Sequence, residues 1–135
     1  MSAQELIGLA QQAMDNAYAP YSHYHVGAAL LCADGTVFTG CNIENAAYGP
    51  TNCAERTAFF KAISEGYREF TAIAVCGGKD GVIADAFPPC GVCRQVMREF
   101  CRDDFKIYLA KPEGYDTLTL AQLLPYSFCP ETLTK

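Results

Sequence analysis

The sequence predicts an α/β fold: a three-layer α/β/α sandwich with a mixed central sheet of about five strands. Two observations carry this. Segments with helical apolar spacing alternate with short β-branched apolar runs along the 135 residues. A hairpin signal, Asp34-Gly35, joins the first two strand-like runs, so at least one strand pair is antiparallel and the sheet is mixed.

Ser2-Ala3-Gln4-Glu5 is a capping-box pattern, and Leu6, Ala10, Ala13, Met14 and Ala17 follow at spacings of three and four, which predicts a first helix ending before Pro20. Val26 to Leu31 reads as a strand, and Thr36 to Gly40 as its hairpin partner. Cys41 to Asn52 has no convincing period and reads as an ordered loop. A helix is predicted from about Cys53 to Glu65, stopped by Gly66. Thr71 to Cys76 reads as a strand that Gly77-Gly78-Lys79-Asp80-Gly81 breaks into a second loop. Pro88-Pro89 marks the start of a helix from Cys90 to about Cys101. A strand at Lys106 to Ala110 and a short helix near Leu118 to Leu124, stopped by Pro125, complete one predicted domain over residues 1–135.

Composition narrows the function. Ten Lys and Arg against fifteen Asp and Glu give a net charge of -5, a field that repels nucleic-acid backbones and anionic membranes. The basic residues are scattered singly, with no basic run between aromatics. No basic leader opens the chain and no run of eighteen apolar residues appears, so a soluble cytoplasmic protein is expected. Eight cysteines in a chain of this kind suggest reduced thiols or metal ligands rather than a disulfide framework.

Cys53-Ala54-Glu55 lies at one predicted helix start and Pro89-Cys90-Gly91-Val92-Cys93 at another. A helix N-terminus lowers a thiol's pKa through its free N–H groups and macrodipole, and the thiolate is the metal-binding form. Cys90 and Cys93 share one helical face. If the two starts converge, Cys53, Cys90 and Cys93 give zinc three ligands and leave its fourth tetrahedral position to water, the arrangement of a catalytic site. Glu55, two residues from the first ligand, is the candidate general acid and base. Arg56 is the candidate cation to offset three thiolates on one divalent metal. Cys32, Cys41, Cys76, Cys101 and Cys129 read as small apolar residues, and His23 and His25 as polar loop or edge residues.

CAERTA followed by PPCGVCRQV resembles the zinc signature of the small, homotetrameric cytidine deaminases, and YSHYHVGAAL, TGCNIENAAYGPTNCAER and LLPYSF extend the resemblance over nearly the whole chain. Cys53 stands where the nucleic-acid and nucleotide branches carry His, which matches the nucleoside-acting, three-cysteine branch. The resemblance implies a cytidine deaminase-like fold, one zinc ion per chain, and hydrolysis of cytidine and 2'-deoxycytidine to uridine and 2'-deoxyuridine plus ammonia in pyrimidine salvage. Zinc-activated water would attack C4 with Glu55 as the proton shuttle.

By the same resemblance Asn42 and Glu44 would hold the ribose hydroxyls, the backbone near Ala54 and Pro89 would address the pyrimidine, and Tyr24 would stack near the base. Ala46, Tyr48 and Phe128 would reach into a neighbouring subunit's site in a homotetramer. Tyr24 and Ala47 stand where the family commonly carries Phe and Ser. The expected partner is a free pyrimidine nucleoside, with neither nucleic acid nor membrane. Competing readings are a deaminase of a nucleoside antibiotic such as blasticidin S, an RNA- or DNA-editing deaminase, and a non-catalytic module in which zinc only joins two helices.

Overall fold

Alternating side chains on the central strands point to two different apolar layers, and this dictates the architecture. In the computed structural model, which describes residues 1–134, a five-stranded sheet runs in the order β2-β1-β3-β4-β5. Its strands are β1 (Tyr24–Cys32), β2 (Val37–Cys41), β3 (Phe70–Lys79), β4 (Lys106–Ala110) and β5 (Tyr115–Thr119). Only β3 and β4 are parallel; the other neighbouring pairs are antiparallel, so the sheet is mixed as predicted.

Val26, Ala28, Leu30, Ile73, Val75, Ile107 and Leu109 face a core built with helices α2 (Ala54–Ser64) and α3 (Gly91–Phe100). Ala29, Ala72, Ala74, Cys76 and Ala110 face helix α1 (Ala3–Met14) on the other side. Covered on both faces, β1 and β3 need no polar alternation, which is why they read as near-continuous apolar runs. The short α4 (Leu120–Leu123) seats Leu120 in the first core, and α5 (Pro130–Thr134) follows it.

The capping box at the start of α1 forms as expected: Ser2 Oγ accepts from the Glu5 N–H, and Glu5 accepts from the Ser2 N–H. The helix ends at Met14, however, so Ala17 lies beyond it. Two glycines set how closely helices approach the sheet. A Cβ on Gly27 would sit 2.0 Å from the Ala10 carbonyl oxygen of α1, and one on Gly40 would sit 2.6 Å from the Ala54 carbonyl oxygen of α2. Gly40 therefore lets the first turn of α2 rest directly on β2, and that turn carries Cys53 and Glu55.

Three expectations are corrected. The Gly77-Gly78 pair does not end β3: the strand continues to Lys79, with Tyr24, His25 and Val26 of β1 opposite Lys79, Gly78 and Gly77. These glycines mark close approach instead, since a Cβ on Gly78 would lie 1.7 Å from the Val82 carbonyl oxygen. His25 accordingly lies within β1, while His23 adopts φ 63° in the turn before it. The fifth strand, for which no segment was predicted, is Tyr115–Thr119, paired antiparallel to β4 at the sheet edge. The C-terminal short helix begins at Leu120 rather than Leu118, after a Thr119 capping box with Gln122.

Candidate metal centre and substrate cavity

Cys53 and Cys90 occupy the N-cap positions of α2 and α3, where Ser, Thr, Asp or Asn would ordinarily bond the free N–H groups. Neither cysteine makes a side-chain capping bond. Their sulfurs turn toward each other instead: Sγ of Cys53 lies 3.7 Å from Sγ of Cys90, which lies 3.6 Å from Sγ of Cys93. All three lie within 4.8 Å of one another. Tetrahedral zinc at about 2.3 Å from each sulfur requires sulfurs about 3.8 Å apart, and the separations of 3.7 and 3.6 Å match that spacing. Among the described residues no fourth His, Cys, Asp or Glu joins the cluster, which leaves a coordination position for water.

The thiols differ in their tendency to ionise. Cys53 is held well below the usual thiol range, chiefly by its hydrogen bond with Cys93 and then by the Arg56 guanidinium and Cys90, against the opposing effect of burial. Cys93 is pushed up correspondingly, because its proton is the one that serves Cys53. Burial pushes Cys32 and Cys76 up to about 11 and Cys101 up to about 12, as expected for thiols acting as small apolar residues.

Arg56 Nη2 donates to Cys53 Sγ at 3.2 Å, while its buried Nε has no partner. A planar guanidinium against a thiolate supplies the positive charge that three sulfurs and a divalent cation otherwise lack. Glu55, in the first turn of α2, is only 4% exposed. Burial pushes its carboxyl up to about 7; the Cys53 thiolate pushes the same way, against its own backbone amide, Arg56 and the Cys93 thiol.

These groups open into a cavity of about 230 Å³ whose lining includes Cys53, Cys90, Glu55, Ala54, Tyr24, Asn42 and Glu44. The structure thus brings seven of the sequence-predicted site residues to one space. Glu44 is held by three donors: the Tyr21 and Ser22 N–H groups at 3.0 and 3.1 Å, and the Ser22 hydroxyl. The Ser22 hydroxyl above all keeps the carboxyl below its ordinary range. Asn42 Oδ1 accepts from the Val26 N–H at 2.9 Å, and Nδ2 donates to the Tyr24 carbonyl at 2.7 Å. Its amide thereby ties the loop to β1. Backbone bridges Tyr18–Ile43 and Ile43–Asn52 keep the intervening segment ordered without regular structure.

Ala46, Tyr48 and Phe128 do not line this cavity. Tyr48 borders an adjoining hollow and is 78% exposed, and Phe128 is 56% exposed. Pro88 lines the cavity, whereas the buried Pro89 presents its carbonyl to Arg94 Nε at 2.8 Å. Ser22, Thr51 and Phe87 also line the space and escaped the sequence reading. Phe87 had a signal in its place three residues before Cys90; Ser22 and Thr51 had none.

Three cysteine sulfurs placed to hold one metal ion, with a buried carboxyl beside them on helix starts over a mixed sheet, are the makings of a zinc-dependent hydrolase. The family model described as "Cytidine and deoxycytidylate deaminase zinc-binding region" matches residues 1–109. The chain belongs to this family.

A cytidine deaminase of Sporosarcina psychrophila is 50% identical over 135 residues, covering 99% of this chain and 96% of the relative. One from Halalkalibacterium halodurans is 52% identical over 134 residues, 98% of each chain. The crystal structure of cytidine deaminase from Burkholderia pseudomallei superposes with a TM-score of 0.87 at 46% identity, covering 95% of this chain and all of that one.

Proposed function

We propose that the chain is a single catalytic domain that hydrolyses cytidine and 2'-deoxycytidine to uridine and 2'-deoxyuridine, releasing ammonia. The observation that carries this is the convergence of three sulfurs and the 4%-exposed Glu55 on a cavity whose other end holds Glu44 and Asn42. The activity named for relatives at 50% and 52% identity supports it.

Cys53, Cys90 and Cys93 would hold the zinc ion, which when bound would lower the pKa of a water placed to attack C4 of the cytosine ring. Glu55 accepts the proton this water loses and delivers protons to N3 and to the departing amine. A carboxyl whose affinity for protons has been raised by burial is suited to both accepting and giving one near neutrality. Arg56 holds negative charge on Cys53.

At the sugar end, the donors from Tyr21 and Ser22 fix the Glu44 carboxylate and occupy three of its four lone-pair sites, which leaves one on Oε2 for a ribose hydroxyl. Asn42 retains one N–H and one lone pair after its two bonds to β1. A carboxylate beside the sugar disfavours a 5'-phosphate.

The proposed setting is a homotetramer in the cytoplasm. Tyr48, Tyr126 and Phe128 project as exposed aromatics, which suits contacts that complete a neighbouring site. Eight unpaired cysteines suit a reducing compartment, and among the described residues no helix is long and apolar enough to cross a membrane. Light scattering should give about four times the 14.7 kDa chain mass; a monomer at working concentration would refute the assembly.

Ammonia release measured on cytidine, deoxycytidine, cytosine, CMP and blasticidin S, with zinc stoichiometry on the same sample, tests the activity. Turnover confined to the two nucleosides, at about one zinc per chain, is the expected result. Preference for blasticidin S or CMP would overturn the proposal.

A further inference from the structure

Tyr24 and Phe87 are the two residues that border both the catalytic cavity and a second hollow of about 450 Å³. Gly77, Gly78, Lys79 and Asp80 contribute to the far side of that hollow. The two rings lie with centroids 6.0 Å apart and planes inclined by 34°, forming a partition between the spaces. Gly77 makes room for it: a Cβ there would approach the Phe87 ring to 2.9 Å and Val26 Cγ2 to 3.0 Å. The missing side chain is therefore the slot in which Phe87 lies.

The two rings line the same cavity as Cys90 at one end and Glu44 at the other. Phe87 precedes Cys90 by three residues, which anchors one side near the sulfurs. The Tyr24 N–H bonds to Ser22 Oγ at 3.0 Å, and that hydroxyl bonds Glu44, which anchors the other side near the sugar position. In the nucleoside reading, with C4 at the sulfurs and the ribose at Glu44, the base lies between those two ends, where Tyr24 and Phe87 also line the cavity.

We propose that Phe87, seated against Gly77 and Tyr24, is a specificity-determining residue that limits substitution on the cytosine ring, with the hollow behind it as the space a C5 substituent would occupy once the wall is lowered. This rests on the nucleoside deaminase reading above. Phe87 carries no ionisable group, so truncating it changes which ring fits without removing the proton shuttle. An apolar pocket separates substrates differing by one or two carbons by about 10-fold or more.

The test compares kcat and KM for cytidine and 5-ethylcytidine in the zinc-loaded parent, Phe87→Leu and Phe87→Ala. The ethyl group adds bulk with little electronic effect on C4. The parent is expected to prefer cytidine by about 10-fold or more in kcat/KM. Phe87→Ala should reduce that preference by a similar factor, chiefly through KM for 5-ethylcytidine, with Phe87→Leu between them. Phe87→Leu keeps most of the buried volume and serves if the alanine variant does not fold.

Cytidine turnover with the parent's preference unchanged in the folded variants would overturn this inference alone. A parent that accepts both nucleosides equally would do the same. A zinc-loaded parent that turns over neither would overturn the functional reading and this inference with it.

Discussion

Glu55→Gln is expected to lower kcat for cytidine by about 10⁴-fold, the upper range for a positioned general acid and base, because in the proposed mechanism the one side chain handles every proton. The amide keeps the size and planarity of the carboxyl but takes up no proton. Glu55 is 4% exposed and belongs to no ion pair among the described residues, so replacing it with a neutral group of the same size removes a buried acid without opening a cavity. Zinc content and the unfolding midpoint should therefore remain at the parent's values. Steady-state ammonia release, metal analysis and denaturant unfolding on one preparation separate the cases. A zinc-loaded Glu55→Gln protein retaining a tenth of the parent's activity would remove Glu55 from the proposed role.

Loss of a sulfur should act through the metal instead. Cys93→Ser places a hydroxyl that stays protonated at neutral pH where the cluster needs an anion, at a side chain only 1% exposed. Zinc affinity is expected to fall by more than about 100-fold, beyond the cost of losing an outer partner, and activity should fall with it. Arg56→Ala is the graded comparison. It removes the 3.2 Å bond to Cys53 but leaves all three ligands, and a loss of about 10- to 100-fold in metal affinity or activity is expected. Competition with a chromophoric chelator reads both variants on one scale. If Cys93→Ser held zinc as tightly as the parent, the three-sulfur site would be wrong.

What could be read from the sequence, and what could not, divides along a physical line. Local chemistry was legible: the Ser2 capping box, the Asp34-Gly35 turn, and the cysteines at two helix starts each specify their own neighbourhood. Contacts made across the sheet were not. Gly77 and Gly78 look like a strand breaker because the reason for them, the approach of Phe87 and Val82, lies outside their own segment. β5 was missed because Tyr115, Asp116 and Thr117 are exposed at a sheet edge, where one-sided burial leaves little apolar signal.

The site shows the same division. Cys53, Glu55, Cys90 and Cys93 announce themselves by residue type and spacing, whereas Phe87 is one aromatic among eight in its class until its ring is seen against Tyr24. Asn42 was expected to face the ribose, and the structure adds that two of its bonds first fasten the loop to β1. Tyr48 and Phe128 have large exposed surfaces whose purpose in this reading depends on another copy of the chain.

The sulfurs of Cys53 and Cys90 come from positions 37 residues apart, on helices that no disulfide connects. A metal ion joining them is also a staple that ties off a loop of that length. A covalent cross-link of this span would lower the entropy of the unfolded chain by an amount equivalent to about 4 kcal/mol. Zinc held by these sulfurs would have a mechanical share in this architecture as well as a chemical one: because the site exists only in the folded chain, binding the ion would also fasten the two helix starts that surround it, and removing the ion should loosen the cavity wall they form.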